Sequence, residues 1–214
     1  MSNYAMDSNA NPLHTANMAT AQTPAQVSPQ DLQHLDQQQF MQLLGSAVEH
    51  SPWVCERAWN LRPFATFAAL YEAMRQCIHT ASASEQMYLL RIHPELAGRE
   101  AVAGTMTSDS NAEQGRLGLL SLSAEDFYKL NQLNQRYQAR FGYPFITALR
   151  LHDSLGSVLN NLETRLCNDV TTELTVSLNE ICEVMRGRLA LLVSDTAAAQ
   201  MTTPASPNVL TPCA

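Results

Sequence analysis

An all-α fold, a single bundle-like domain of about seven or eight helices, is the architecture this sequence predicts, and three observations predict it. Apolar residues recur at spacings of three and four in one segment after another. No run alternates apolar and polar residues as a half-buried strand requires. Ser, Thr, Asp, Pro and Gly fall at the ends of the periodic segments, where helices start and stop. Hydrophobic residues form 45% of the 214, enough for the core of one ordinary domain. That domain is expected over residues 29–194, with disordered tails at 1–28 and 195–214. The tails are rich in Ala, Thr, Asn, Gln, Ser and Pro and cannot bury enough surface to offset the entropy of ordering them.

Taken in order, the first helix is expected from Ser28-Pro29, with Leu32, Leu35, Phe40, Leu43, Leu44 and Val48 along it and Gly45 weakening it without ending it. Ser51-Pro52 opens a short helix to Asn60 that carries Trp53 and Trp59, and Arg62-Pro63 breaks the chain again. Phe67, Leu70, Met74, Cys77 and Ile78 mark a helix over Thr66 to Thr80. The next is capped by Ser84 and runs through Met87 and Leu90 towards His93. Pro94 disfavours the α conformation before it, so His93 belongs at the end of that helix or just outside it. Gly98 to Ser108 reads as a loop, and Ser110 starts a helix. A longer one runs from Ser123 to Phe141-Gly142, followed by an irregular Pro144-Phe145-Ile146 segment. Helices over Ser154 to Leu166 and Thr172 to Val193, joined at Asn168-Asp169, close the domain.

The balance of charge narrows the function. The formal net charge is −7, only 15% of residues are charged, and the 13 Lys and Arg are scattered, so no nucleic-acid surface is expected. No stretch is long and apolar enough to span a membrane. The five cysteines, Cys55, Cys77, Cys167, Cys182 and Cys213, show no C-x-x-C spacing and suit a reducing compartment. Neither a secretory signal nor a peroxisomal or ER carboxy-terminal address is recognisable, which makes a cytoplasmic location the expectation. A small molecule or a protein is the expected partner.

Among residues able to carry chemistry, Arg188 falls three after Met185 and four before Leu192 on the apolar stripe of the last helix, so it points inward. A guanidinium there requires a carboxylate, carbonyls or an anionic ligand. It is a structural ion pair, or a fork for a substrate carboxylate. Ser110-x-x-Glu113 matches a capping box, which competes with a catalytic role for Glu113. Gln114 can donate and accept at once, which suits a heterocycle or solvent equally. His93, beside a proline-fixed turn, can titrate near neutral pH and exchange a proton with a ligand. His152-Asp153, with His79 and Asp169 as further donors, is a weak metal-phosphohydrolase signal. P-loop, G-x-S-x-G and H-E-x-x-H motifs are absent from the sequence.

Several segments together resemble the 2-oxo-4-hydroxy-4-carboxy-5-ureidoimidazoline (OHCU) decarboxylases. They are Glu49-His50-Ser51-Pro52-Trp53-Val54, Arg62-Pro63-Phe64, His93-Pro94-Glu95-Leu96-Ala97-Gly98, Ser110-x-x-Glu113-Gln114 and Phe141-Gly142-Tyr143-Pro144-Phe145-Ile146. Phe127, Asn131 and Tyr137 in loose spacing, and Arg165 through Arg188-Leu189, extend the likeness over about residues 30–194. The resemblance implies an all-α, cofactor-free and metal-free enzyme of urate breakdown, commonly homodimeric, that makes (S)-allantoin with loss of carbon dioxide. It further implies that His93 and Glu113 are catalytic and that Arg188 binds substrate. Pro94, Ser110, Gln114 and the Phe145-Ile146 backbone match its other pocket positions.

Overall fold

The computed structural model describes residues 26–194, and over them the chain is helical. Apart from residues 26–28, the expected tails lie outside the described residues. Nine α-helices follow in order: α1 (Gln37–Leu44), α2 (Pro52–Trp59), α3 (Phe67–His79), α4 (Ala83–Arg91), α5 (Arg99–Ala103), α6 (Ser108–Arg116), α7 (Ala124–Phe141), α8 (Leu155–Arg165) and α9 (Val170–Leu192). Short 3-10 turns at Asp31–His34 and Leu149–Leu151 complete the set. The only β pairing among the described residues is an isolated bridge, Val27 to Val193, so Gln26–Ser28 is pinned against the end of α9.

The side chains that build the core are those on the periodic stripes. Phe40, Leu44, Val54, Leu70, Met74, Ile78, Leu90, Leu130, Tyr137, Leu162, Met185 and Leu189 are buried in one continuous cluster. Each such side chain contributes roughly 1.5–3 kcal/mol by leaving water. Helix α9 packs against α1, α3 and α4. This central helix carries Arg188 inward, to 4% exposure, as its place on the stripe predicts.

The structure departs from the periodicity at several boundaries. The expected first helix is broken: Leu35 is extended, and Asp36 starts α1 through a reciprocal capping box with Gln39. Gly45 ends α1 instead of merely weakening it. Ser82, paired with Glu85, caps α4 in place of Ser84. The segment read as a loop after Gly98 contains α5, which accounts for one helix more than expected. Asp169 accepts the amide hydrogens of Thr171 and Thr172, so α9 starts at Val170, two residues early. Helix α7 ends as anticipated on Gly142, whose φ of 80° suits glycine.

Candidate active site

The turn after α4 places the imidazole. Ile92 is the last residue with helical torsions, and His93 lies just outside the helix, as the following Pro94 demands. The chain then folds back through Glu95-Leu96-Ala97-Gly98, closed by a bond from Gly98 N to Glu95 O at 3.1 Å. Ala97 takes φ 49°, a conformation costing roughly 1–2 kcal/mol for a residue with a Cβ. Gln114 holds it there: its Oε1 accepts from Ala97 N at 2.9 Å, and its Nε2 donates towards Met106 Sδ at 3.2 Å. Gln114 is therefore buried and spent largely on the turn, which removes solvent as its partner. Gly98 is required by space, since a Cβ there would stand 2.7 Å from Glu95 Cβ.

Helix α6 supplies the acid. Its cap is Thr107, whose hydroxyl accepts from Ser110 N, so the capping box expected for Ser110 and Glu113 does not form. Both side chains are free for other work. Ser110 Oγ donates to Glu49 Oε2 at 2.5 Å, and Glu113 receives the Arg188 fork, Nε to Oε1 and Nη2 to Oε2, each at 2.9 Å. Arg188 also reaches Ser110 Oγ at 3.2 Å and Glu49 Oε2 at 3.4 and 3.5 Å.

His93, Pro94, Ser110, Glu113, Gln114, Phe145 and Ile146 all line one cavity of about 20 Å³. Arg188 does not face it; it closes the wall behind Ser110 and Glu113 and lines neighbouring cavities of about 360 and 510 Å³. His93 forms a wall shared with a cleft of about 620 Å³. A space of 20 Å³ holds about one water, whereas small-molecule pockets run to ~300 Å³ or more. The small cavity shares His93 with the cleft and Glu113, Leu149 and Val184 with the 360 Å³ cavity.

Electrostatics follow from the packing. Burial, reinforced by the Arg188 charge, pushes His93 down to about 4, so the ring is neutral near pH 7 instead of titrating there as its sequence position suggested. Burial alone would raise Glu49, but hydrogen bonds from Ser110 and Thr107 and the charge of Arg188 outweigh it and hold the carboxylate below its usual range.

The Phe145-Ile146 strip is fixed from behind. Arg165 Nη1 donates to Ile146 O at 2.7 Å and the guanidinium lies over the Phe145 ring, so the Ile146 carbonyl is already engaged. Arg165 is buried with Glu173, Tyr137 and Ser177 in one hydrogen-bonded network. Glu180 accepts from Ala148 N at 2.8 Å and secures the next residues.

The residues of the alternative metal reading are not brought together. Both His152 ring nitrogens are within hydrogen-bond distance of hydroxyls, Thr147 Oγ1 at 2.9 Å and Ser157 Oγ at 2.7 Å. Asp169 caps α9, and His79 lies beside Cys182. Among the described residues no three His, Cys, Asp or Glu side chains converge as a metal would need.

Glu49, named in the sequence only as part of a motif and given no role there, is 5% exposed and bonded to Thr107, Ser110 and Arg188. It stands beyond the end of α1, where a helical stripe no longer predicts direction, and the turn that aims it inward uses His50 at φ 54°. Neither residue advertises that turn as a glycine would.

Comparison with known proteins places the chain in a family. The family model described as OHCU decarboxylase matches residues 33–190. The OHCU decarboxylase of Haloferax volcanii is 36% identical over 161 residues, 75% of this chain and 93% of that protein. The OHCU decarboxylase of Mus musculus is 36% identical over 159 residues, 74% of this chain and 89% of the relative. The crystal structure of an (S)-allantoin synthase shares the fold at TM-score 0.62 and 24% identity, over 78% of this chain and 54% of that one. With the family model matched across the helical domain and relatives 36% identical over three quarters of its length, this chain belongs to the OHCU decarboxylase family.

Proposed function

We propose that the chain converts OHCU to (S)-allantoin with loss of carbon dioxide, as a step of urate degradation, without a metal or organic cofactor. One observation supports the reading: in a member of this family, His93 and Glu113 line one cavity, and Arg188, from a third distant segment, holds Glu113 from behind its wall. The substrate's chemistry supports it. Its carboxylate and hydroxyl share one ring carbon beside a C=N bond, so the electron pair released with carbon dioxide forms a C=C bond to the ureido-bearing carbon. The C=N pair moves onto nitrogen, which takes a proton from solvent. The hydroxyl proton leaves, a carbonyl forms, and a proton added to one face of the ureido-bearing carbon gives one enantiomer. The ring itself is the electron sink.

The residues divide the work as follows. Substrate takes the Arg188 fork from Glu113, whose side chain is a third exposed and free to swing, while the Glu49 side chain at 3% is not. Displaced Glu113 faces the substrate carboxylate, two like charges whose repulsion is relieved as neutral carbon dioxide departs, and Glu113 then recovers the guanidinium. An anionic substrate beside His93 raises the affinity of the neutral imidazole for a proton, which lets it accept the one from the hydroxyl. Pro94, Ser110, Gln114, Phe145 and Ile146 shape the ring's seat. The molecule is read as a cytoplasmic homodimer without a nucleic-acid or membrane partner. Supporting this are the net charge of −7, the free cysteines Cys55, Cys77, Cys167 and Cys182, the lack of a described helix long and apolar enough to cross a membrane, and the family resemblance for the dimer.

The test is optical. Freshly prepared OHCU, followed by circular dichroism with and without EDTA, is expected to yield one enantiomer of allantoin at the same rate in both. Racemic product at the rate of buffer alone would overturn the proposal.

A further inference from the structure

Glu49 is not a cap, not a surface ion pair and not part of the hydrophobic core. Its carboxylate gathers three donors: Thr107 Oγ1 at 2.6 Å, Ser110 Oγ at 2.5 Å and the Arg188 guanidinium at 3.4 Å. The geometry around Arg188 is lopsided. Glu113, its side chain a third exposed, holds the cation closely and bidentately, and Glu49, its side chain buried, holds it more loosely. Two carboxylates flank one guanidinium, so an arriving anion can displace only one of them, and the exposed Glu113 is the one able to leave. A buried guanidinium left without any fixed anion would not hold its direction.

We infer that Glu49 is a positioning residue of this site, the fixed carboxylate that keeps Arg188 and the Ser110 hydroxyl aligned while Glu113 yields the fork to substrate. The inference rests on the decarboxylase reading above. Glu49 acts through Arg188 and does not touch the reacting atoms. It lines the 510 Å³ cavity with Thr107 and Arg188 and is absent from the lining of the small cavity that holds His93 and Glu113. Glu113 and Glu49 therefore have different signatures: the first acts in the chemical step, the second in presenting the fork.

The full chain with Glu49→Gln is compared with wild type in initial-rate assays on freshly prepared OHCU. Removing the charge is expected to raise KM about tenfold or more and leave kcat within about threefold, with the helical CD spectrum unchanged. In an Arg188→Lys background the same substitution is expected to change KM less than about twofold, because its partner fork is already gone. An unmoved KM, or the same factor in both backgrounds, overturns the inference. If Glu49→Gln fails to fold, Glu49→Asp, which keeps the charge but shortens the reach, carries the same test. Loss of helical CD in both makes Glu49 a folding residue and also overturns it. Failure of the underlying reading is distinguishable, since wild type would then show no turnover at all.

Discussion

Replacing Arg188 by Lys separates charge from geometry. The guanidinium makes five contacts: two to Glu113 at 2.9 Å, two to Glu49 at 3.4 and 3.5 Å and one to Ser110 at 3.2 Å. A lysine ammonium keeps the charge but cannot offer one carboxylate two parallel bonds. If substrate takes the place of Glu113, the variant loses one charge-assisted hydrogen bond to it, worth roughly 1.5–3 kcal/mol. At ~1.4 kcal/mol per factor of ten, that raises KM about 10- to 150-fold. Folding loses less, because the ammonium keeps a positive charge opposite buried Glu49, and the Glu113 pair, with that side chain a third exposed, contributes about 1 kcal/mol at most. The assay pairs initial rates against OHCU concentration with urea unfolding. A KM within about twofold of wild type, in a variant that unfolds at nearly the same urea concentration, would refute the fork's role in binding.

Other consequences follow from the same contacts. His93 is held at about 4 in the folded chain against 6.5 ordinarily, so between these values the unfolded state binds more protons and stability falls as pH drops. That contribution is complete above 6.5 and gone below about 4; thermal unfolding from pH 7 to 4 is expected to show a smaller acid loss in His93→Gln, and an equal loss would contradict it. Glu173→Ala strands the buried Arg165 and is expected to cost about 3–5 kcal/mol by urea unfolding. An unchanged midpoint would mean that this network does not hold the Ile146 strip. Gly98→Ala forces a Cβ into the 2.7 Å contact with Glu95 and is expected to cost about 1–3 kcal/mol and slow turnover. Wild-type stability and turnover would show that the turn yields freely.

Much of this was legible because helical periodicity and capping chemistry are local. Arg188 could be aimed inward from Met185 and Leu192, and His93 placed outside α4 from Pro94, because each inference spans a turn or two. The Ser110 assignment failed for a local reason too: Thr107 competes for the same cap, and spacing alone does not rank two hydroxyls. Glu49, the Arg165–Glu173 network and the commitment of Gln114 to Ala97 all span a tertiary contact or depend on an unusual backbone torsion. No sequence period encodes those. The depressed basicity of His93 likewise arises from packing and from a charge carried by a helix 95 positions away in the chain, Arg188 against His93.

The account stands most directly on whether His93 and Glu113 perform the chemistry. Full-length His93→Ala and Glu113→Gln, each with helical CD matching wild type, are to be assayed for the initial rate of optically active allantoin formation from fresh OHCU. A fall of about 100-fold or more in kcat for each is the expected result. Near-normal turnover in either folded variant would remove that residue from the mechanism and contradict the account.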